Sequence, residues 1–399
     1  MRKLTVRDVA NYLGLDSKSD ALISMCTIDS RQVEPGGIFF AIEGERVDGH
    51  AYVSEARKRG ALAAVVSKDI DVEGIEIFRV HDVRAALQGL AQWVYRQKKC
   101  TVIGVTGSVG KTSTKECIAQ GLKEALSVGY SPGSYNSQLT LPLAVLNCPE
   151  EADVCVLEYA MSEKGQIKRL VEIAPPDIGV ITPIGYAHAE NFESLEEIAS
   201  EKLQLFKSPR MVQGFVHYRS WEWAKDVGFF PKYRYGEGAK GPFASAALNE
   251  NYAAAGAIAG YLGVGDLAAI SSLPKRFEVI EHGGITFIND SYNASVLSFI
   301  AAMKNLPKGK RTIGVLGSMG ELGRFSLDCH QEVANQAEGI FDEVLFLGDD
   351  WMPVLKENGT LYPSFDKLKS AFLETILPGD VVLIKGSNYH QLWRLLEQV

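Results

Sequence analysis

The sequence has little cysteine and no long apolar run. Its six cysteines are scattered, without a C-x-x-C pair or a histidine at ligand spacing, which argues against a disulfide scaffold or a zinc site and predicts reduced, mostly buried thiols. No apolar stretch reaches membrane-spanning length, and the first ten residues, MRKLTVRDVA, carry charges where a signal peptide needs an apolar core. We therefore expect a cytoplasmic protein without a membrane span.

Positive charge is also scarce. The chain has 41 Lys and Arg against 49 Asp and Glu, a net charge of −8, and no basic stripe, which argues against nucleic-acid binding. There is no internal repeat and no low-complexity segment. A hydrophobic content of 46% is ordinary for a globular protein, and 399 residues predict two or three domains.

A glycine-rich turn between a strand and a helix is the most informative stretch. Residues 101–105 are apolar and β-branched, as in a buried parallel strand, and residues 112–122 have helical spacing. The turn between them, T-G-S-V-G-K-T, lacks the first glycine of the strict phosphate-loop pattern, since Val105 stands there. Such a turn aims unpaired N–H groups and the helix dipole at one spot. It favours nucleotide-phosphate binding over a plain turn, with Lys111 on the phosphates and Thr112 on magnesium.

Strands and helices alternate along the chain in three groups. The pattern predicts an α/β protein with a central doubly wound, P-loop ATPase-like parallel sheet, a small N-terminal α/β domain, and a smaller, Rossmann-like C-terminal sheet. We place the domains at residues 1–98, 99–307 and 308–399. The strand at residues 285–290 is assigned to the central sheet, and a helix at residues 390–397 closes the chain.

Polar residues stand at strand ends and in loops. Glu158 ends an apolar strand, an expensive place for a charge without a cation, and this favours magnesium ligation over a buried salt bridge. The loops at 29–31 (DSR) and 44–50 (GERVDGH) suit a sugar-phosphate, although such stretches are more often simple polar turns. The segment FINDSYNAS at 287–295 fits a ribose and base site or an N-capped turn equally well.

Taken in order, these motifs resemble those of the Mur ligases, the ATP-dependent amide-forming enzymes of peptidoglycan precursor synthesis. The resemblance covers essentially the whole chain, through D-S-R, D-G-H, the phosphate loop, A-H at 187–188 and D-S-Y-N-A at 290–294. The stretches G-S-M-G-E-L-G at 317–323 and K-G-S at 385–387 are similar to those of the member that adds D-alanyl-D-alanine. The D-N-P-R typical of the member that adds the third residue is missing.

The resemblance implies a monomeric ligase that uses ATP and Mg²⁺, with UDP-N-acetylmuramoyl-tripeptide and D-Ala-D-Ala as substrates. Taken alone, His188 and Lys202 are more typical of surface or capping positions. The resemblance instead implies catalytic roles for Lys111, Glu158, His188 and Lys202. It implies magnesium ligation by Thr112, Glu158, His188 and Lys202, the last of which is the lysine carbamylated in this family.

The same resemblance implies the remaining site residues. The ATP-binding residues are Thr106, Gly107, Ser108, Gly110, Lys111, Thr112, Ser113, Asn136, Arg276, Asp290, Tyr292 and Asn293. The substrate-binding residues are Ser30, Arg31, Asp48, His50, Glu321, Lys385 and Ser387.

Two kinds of alternative stay open. Within the class, the chain could be the amino-acid-adding Mur ligase or a folylpolyglutamate synthase. Outside the class, a nucleotide switch or a kinase would use the phosphate loop without joining an amine to an acid.

Overall fold

The structure is a computed structural model that describes residues 4–97, 99–271 and 273–398. The N-terminal part is a four-stranded parallel sheet in the order β1-β2-β3-β4. Its elements are α1 (Val6–Tyr12), β1 (Cys26–Thr27), β2 (Ile38–Phe40), α2 (Val53–Lys58), β3 (Ala63–Val66), β4 (Glu76–Arg79) and α3 (Val83–Tyr95). The predicted loops at 29–31 and 44–50 lead into short 3-10 turns, Ser30–Gln32 and Gly49–Tyr52.

The central part is a six-stranded parallel sheet in the order β10-β9-β8-β5-β7-β6, as the alternation of strands and helices predicts. Its elements are β5 (Thr101–Thr106), α4 (Lys111–Leu122), β6 (Val128–Tyr130), α5 (Thr140–Leu146), β7 (Val154–Glu158), α6 (Gln166–Ile173), β8 (Ile178–Ile181), α7 (Leu195–Lys202), β9 (Gln213–His217), α8 (Trp221–Ala224), β10 (Lys232–Tyr235) and α9 (Ala246–Tyr261).

The third part is also a six-stranded sheet, in the order β11-β12-β16-β13-β14-β15, with only β11 antiparallel to its neighbour. Its elements are β11 (Glu278–His282), β12 (Ile285–Asn289), α10 (Val296–Lys304), β13 (Arg311–Gly317), α11 (Ser326–Glu338), β14 (Glu343–Leu347), β15 (Gly359–Tyr362), α12 (Phe365–Thr375) and β16 (Asp380–Lys385).

Two sequence-based assignments in this region are wrong. Strand β12 belongs to the third sheet, because four of its residues pair with β16, and Gly283 and Gly284 turn the chain back from β11 in left-handed conformations. The third sheet is therefore as large as the central one. The predicted helix at 390–397 is replaced by 3-10 turns, Asn388–His390 and Leu392–Gln398, around the left-handed Gln391. The domain boundaries stay predictions, and Lys98 lies outside the described residues.

Helix α4, which follows the phosphate loop, is buried on almost every side. It packs between the central sheet and α9, where Ile118, Ala255 and Ile258 are fully buried. Burying a side chain such as isoleucine contributes about 1.5–3 kcal/mol, so this packing fixes α4 firmly under the carboxyl edge of the sheet. All six cysteines are buried, as predicted. No helix in the described ranges is both long and apolar enough to cross a membrane.

Candidate active site

The phosphate loop connects β5 to α4, as predicted from the sequence. Gly107 and Gly110 have φ values of 150° and 83°, which favour glycine. A Cβ atom on Gly107 would lie only 1.9 Å from the Thr182 hydroxyl oxygen, so no larger residue fits there. The amides of Ser108 and Val109 donate to the Pro183 carbonyl, while the first-turn amides of α4 have no partner within the helix. The loop is thus shaped as a phosphate cradle.

Lys111 lies across this loop. Its Nζ donates to the carbonyls of Gly107 and Ser108 at 3.0 and 3.3 Å. Burial lowers the pKa of Lys111, and the negative charge of Glu158 opposes that shift. Phosphate oxygens are stronger acceptors for an ammonium than carbonyls are, so a nucleotide would displace these internal bonds at little cost.

Glu158, at the end of β7, is the carboxylate of the site. It is only 1% exposed, and its Oε1 accepts a hydrogen bond of 2.8 Å from the side-chain amide of Asn136. Its Oε2 is buried and has no hydrogen-bond partner among the described residues. An unpaired buried carboxylate oxygen is costly, and an oxygen-seeking cation such as Mg²⁺ would satisfy it. The residues present therefore fit a divalent cation held by Glu158 and the Thr112 hydroxyl.

His188 and Glu321 bring the central and third parts of the chain together. The His188 Nδ1 contacts the Glu321 carboxylate, and the Glu190 amide donates to the Glu321 carbonyl at 3.0 Å. Both contacting residues are in left-handed conformations, with φ values of 54° and 60°. The hydrogen bond from His188 lowers the pKa of Glu321. Glu321, predicted to bind substrate, thus contacts His188, predicted to bind magnesium.

Lys202 ends α7 and is 1% exposed. Burial and the nearby charge of Lys111 hold the pKa of Lys202 well below its usual range, against the charge of Glu201. The Glu201 carboxylate is occupied by the amides of Gly165 and Ile167, each at 2.9 Å. Burial therefore shifts the protonation equilibrium of Lys202 toward its neutral form. It does not line the cleft described below.

The predicted nucleotide residues of the third part form one cluster. The Arg276 guanidinium lies 4.0 Å from the Tyr292 ring centroid, and the Tyr292 hydroxyl bonds to Ser134. Asp290 accepts from the Lys385 ammonium at 2.6 Å and from the Phe277 amide at 3.1 Å. Lys385, predicted to bind substrate, is 1% exposed and also donates to the carbonyls of Asp290 and Asn293. These bonds tie Lys385 to the segment that carries Asp290 and Asn293.

A cleft of about 340 Å³ brings most of these side chains together. The predicted residues that line it are Ser108, Gly110, Lys111, Thr112, Ser113, Asn136, Glu158, His188, Arg276, Asp290, Tyr292, Asn293 and Lys385. The predicted residues outside its lining are Ser30, Arg31, Asp48, His50, Thr106, Gly107, Lys202, Glu321 and Ser387. No group of three His, Cys, Asp or Glu side chains in the described ranges could hold a metal.

Two of the residues outside the lining have clear structural partners. The Thr106 hydroxyl is fully buried and donates to the Tyr159 carbonyl at 2.7 Å. Ser387 is 5% exposed, and its hydroxyl accepts from the Gly320 amide at 2.8 Å. Ser387 therefore holds the 317–323 loop.

The four predicted residues of the N-terminal part are mostly engaged with their neighbours. The Ser30 hydroxyl donates to Glu55 at 2.9 Å, and Arg31 forms a two-bond ion pair with Asp29. The buried His50 contacts Asp48 at 2.6 Å and accepts from the Ser67 amide at 2.9 Å.

Sequence reasoning missed one wall of the cleft. Arg219, in the 3-10 turn that follows β9, and Glu250 and Asn251 on α9 line it, and Asn251 accepts from the Thr114 hydroxyl at 3.0 Å, directly beside Gly110. The sequence of α9 predicted only a packed helix, because alanine dominates it. The run Asn249 to Asn251 was the available signal, since three polar residues interrupt an otherwise apolar helix.

Comparison with known proteins gives one consistent family. Residues 105–228 match the Mur ligase middle domain, residues 275–388 the Mur ligase glutamate ligase domain, and residues 22–97 the catalytic domain of the Mur ligase family. The UDP-N-acetylmuramoyl-tripeptide–D-alanyl-D-alanine ligase of Synechocystis sp. is 30% identical over 100% of this chain and 98% of its own length.

Two solved structures have the same architecture. The MurF ligase of Thermotoga maritima, in complex with ADP, is 29% identical with a TM-score of 0.81, over 95% of this chain and 97% of that one. MurF of Acinetobacter baumannii is 25% identical with a TM-score of 0.87, over 100% and 99%. Sequence, three-part fold and phosphate cleft therefore agree, and this chain belongs to the Mur ligase family.

Proposed function

We propose that this chain joins D-alanyl-D-alanine to UDP-N-acetylmuramoyl-tripeptide, with ATP converted to ADP and phosphate. The proposal rests on one observation above the others. The unpartnered carboxylate oxygen of Glu158 lies in one cleft with Lys111 and Thr112, in a chain that matches ligases of this specificity from end to end. A phosphate loop alone would be compatible with many reactions.

The first step we propose is activation of the tripeptide carboxylate. A carboxylate is a poor electrophile, so its oxygen attacks the γ-phosphorus of ATP, the bond to the β-phosphate oxygen breaks, and an acyl phosphate and ADP form. Lys111 moves from its loop carbonyls to the transferred phosphate and stabilises the charge that develops there. Thr112 and Glu158 would hold Mg²⁺, which would supply further positive charge at the phosphate oxygens.

The second step is attack by the dipeptide amine on the acyl carbon. The tetrahedral intermediate expels phosphate and leaves an amide, and the amine loses its proton. The contact between His188 and Glu321 supports a closed arrangement in which the third part of the chain covers the cleft. Closure brings the amine to the acyl phosphate and excludes water, which would otherwise hydrolyse it.

We also propose that Lys202 is carbamylated in the working enzyme. A neutral amine is the form that adds carbon dioxide, and burial favours the neutral form of Lys202. The product is an anion that can offer an oxygen to a nearby cation. Isotopically labelled bicarbonate followed by carbon NMR should give a carbamate signal in the wild type that is missing in Lys202→Ala. The same spectrum for both proteins would contradict this assignment.

The reaction is tested by phosphate release with ATP, UDP-N-acetylmuramoyl-tripeptide and D-Ala-D-Ala, with the product mass followed in parallel. We expect release only when both peptide substrates are present, with a mass gain of one dipeptide. Addition of a single amino acid would indicate the amino-acid-adding member, and use of a folate would indicate folylpolyglutamate synthase. ATP turnover without an amine would indicate a switch or a kinase.

A further inference from the structure

One loop beside the candidate site contacts all three parts of the chain. Residues 131–138, here called the bridging loop, run from the end of β6 to the start of α5. The loop bonds to Glu158 through Asn136 and to Tyr292 through Ser134. It also reaches the N-terminal part, because the Tyr135 hydroxyl donates to Gln32 at 3.0 Å and the Gln138 carbonyl accepts from Gln88 at 2.9 Å.

The bridging loop fixes Glu158 in two ways. The Asn136 amide holds one carboxylate oxygen, and the Ser131 hydroxyl accepts from the Glu158 backbone amide at 3.3 Å. The Ala160 amide donates to the Asn136 carbonyl at 3.0 Å, which ties the chain beyond Glu158 to the same loop. The direction of the unpartnered Oε2 therefore depends on where the bridging loop lies.

Lys115, on helix α4, forms hydrogen bonds with this loop. It follows Lys111 by one turn on the same face of α4, and its side chain is completely buried. Its ammonium donates to the carbonyls of Ser131 and Gly133, the latter at 2.6 Å, and forms an ion pair of 2.9 Å with Glu116. Lys115 does not line the cleft, so its contribution to the site would pass through the bridging loop.

A buried ammonium is expensive unless its donors are all satisfied. Here two of the hydrogen bonds that satisfy the Lys115 ammonium go to carbonyls of the bridging loop. Burial of Lys115 is therefore stable only while the loop keeps this position. We propose that Lys115 is a positioning residue for the phosphate site: it holds the bridging loop so that Asn136 keeps the Glu158 carboxylate aimed into the cleft. The inference deepens the proposed function and rests on it.

The test compares Lys115→Met with Lys123→Met, which removes an exposed lysine just beyond the same helix. The first readout is hydrogen exchange of the 131–138 peptide in the ligand-free protein. Loss of two bonds to a charged donor should raise exchange in this loop by at least about tenfold in Lys115→Met, while Lys123→Met should match the wild type. Glu116→Gln, which leaves the loop bonds intact, should also keep wild-type exchange in the loop.

The second readout is the Mg²⁺ concentration that half-saturates the ligation reaction. Partners of metal ligands typically affect metal affinity by about 10- to 100-fold, and we expect Lys115→Met to raise the requirement by that factor. The KM for the UDP substrate should stay within about twofold of the wild type, since the N-terminal contacts of the loop do not involve Lys115. A purely structural role would lower stability without this selective change in Mg²⁺ dependence.

Wild-type loop exchange in a folded Lys115→Met would overturn the proposal, as would an unchanged Mg²⁺ requirement. If that variant does not fold, Lys115→Gln replaces it, because its amide can still donate one bond, and the same two readouts decide. Hydrogen exchange is measured without substrates, so its result tests the role of Lys115 independently of the proposed reaction. Absence of dipeptide ligation in the wild type would instead reject the proposed function.

Discussion

The phosphate cleft and the N-terminal loops differ in how much hydrogen-bonding capacity they leave unused. In the cleft, Glu158 Oε2 is buried without a partner among the described residues, and Lys111 bonds only to carbonyls of its own loop. In the N-terminal part, Ser30 and His50 are buried and bonded to neighbours within the same domain.

The difference separates groups that are ready to bind a ligand from groups that stabilise a loop. A ligand gains the full interaction with an unsatisfied group, but it must first break a bond to reach a satisfied one. By this criterion the cleft is preorganised for phosphate and a cation. In the N-terminal part, Arg31 is the accessible candidate, because 78% of its side chain is exposed despite the ion pair with Asp29.

The largest effect should come from the phosphate lysine. Lys111→Ala removes the cation that stabilises charge on the transferred phosphate, and we expect kcat to fall about 10²- to 10³-fold. Phosphate release with saturating substrates measures it. Lys123→Ala, at the exposed end of the same helix, is the matched control and should keep wild-type activity. A comparable fall in kcat in both variants would show that Lys111 has no specific role in phosphate transfer.

Glu158→Gln should have opposite effects on activity and stability. The amide keeps the size of the side chain but gives up the charge that a cation needs, so the Mg²⁺ requirement should rise about 10- to 100-fold. Stability should be equal or higher, because the cost of burying a negative charge is removed. A Mg²⁺ titration and a thermal melt measure the two, with the exposed Glu163→Gln as control. A large fall in Tm would indicate that Glu158 is mainly structural.

Arg31→Ala sharpens the comparison from the N-terminal side. Exposed ion pairs contribute little to stability, so Tm should barely change. If the guanidinium holds a phosphate of the UDP substrate, the KM of Arg31→Ala for that substrate should rise about tenfold with kcat unchanged. Arg79→Ala, which removes another exposed arginine paired with an aspartate in the same domain, should leave KM unchanged. Equal KM values for Arg31→Ala and Arg79→Ala would show that Arg31 does not bind the UDP substrate.

The smallest effect concerns Asp48. Hydrogen bonds from Lys68 and His50 hold the pKa of Asp48 well below its usual range. A depressed folded-state pKa stabilises the protein above the unfolded-state pKa of about 3.9, and this contribution disappears as the pH falls through the folded-state pKa. Asp48→Asn should therefore lower the urea midpoint slightly at neutral pH and converge with the wild type in acid. Asp69→Asn, at an exposed position, is the control, and parallel pH profiles for Asp48→Asn and the wild type would exclude the linkage.

The local elements were largely predictable because their signals are local. The spacing of apolar residues placed β5 and α4 to within one residue of the bounds that the structure has. The strands β1, β6, β9, β10, β11 and β15 were not predicted, because polar residues or glycine interrupt the apolar run that marks a buried strand. The motifs likewise placed Lys111, Thr112 and Glu158 on one cleft, because parallel strands end at a common edge.

The sequence by itself determined the phosphate loop, the carboxylate at the end of β7 and the three-part α/β order, since each depends on residues close together in the chain. Only the tertiary structure decided that β12 joins the third sheet, that Lys385 pairs with Asp290, and that Lys115 holds the bridging loop. These choices join residues that are far apart in sequence or that have several possible partners. A charged side chain pairs with whatever packing brings within a few ångströms, and no local pattern encodes that distance.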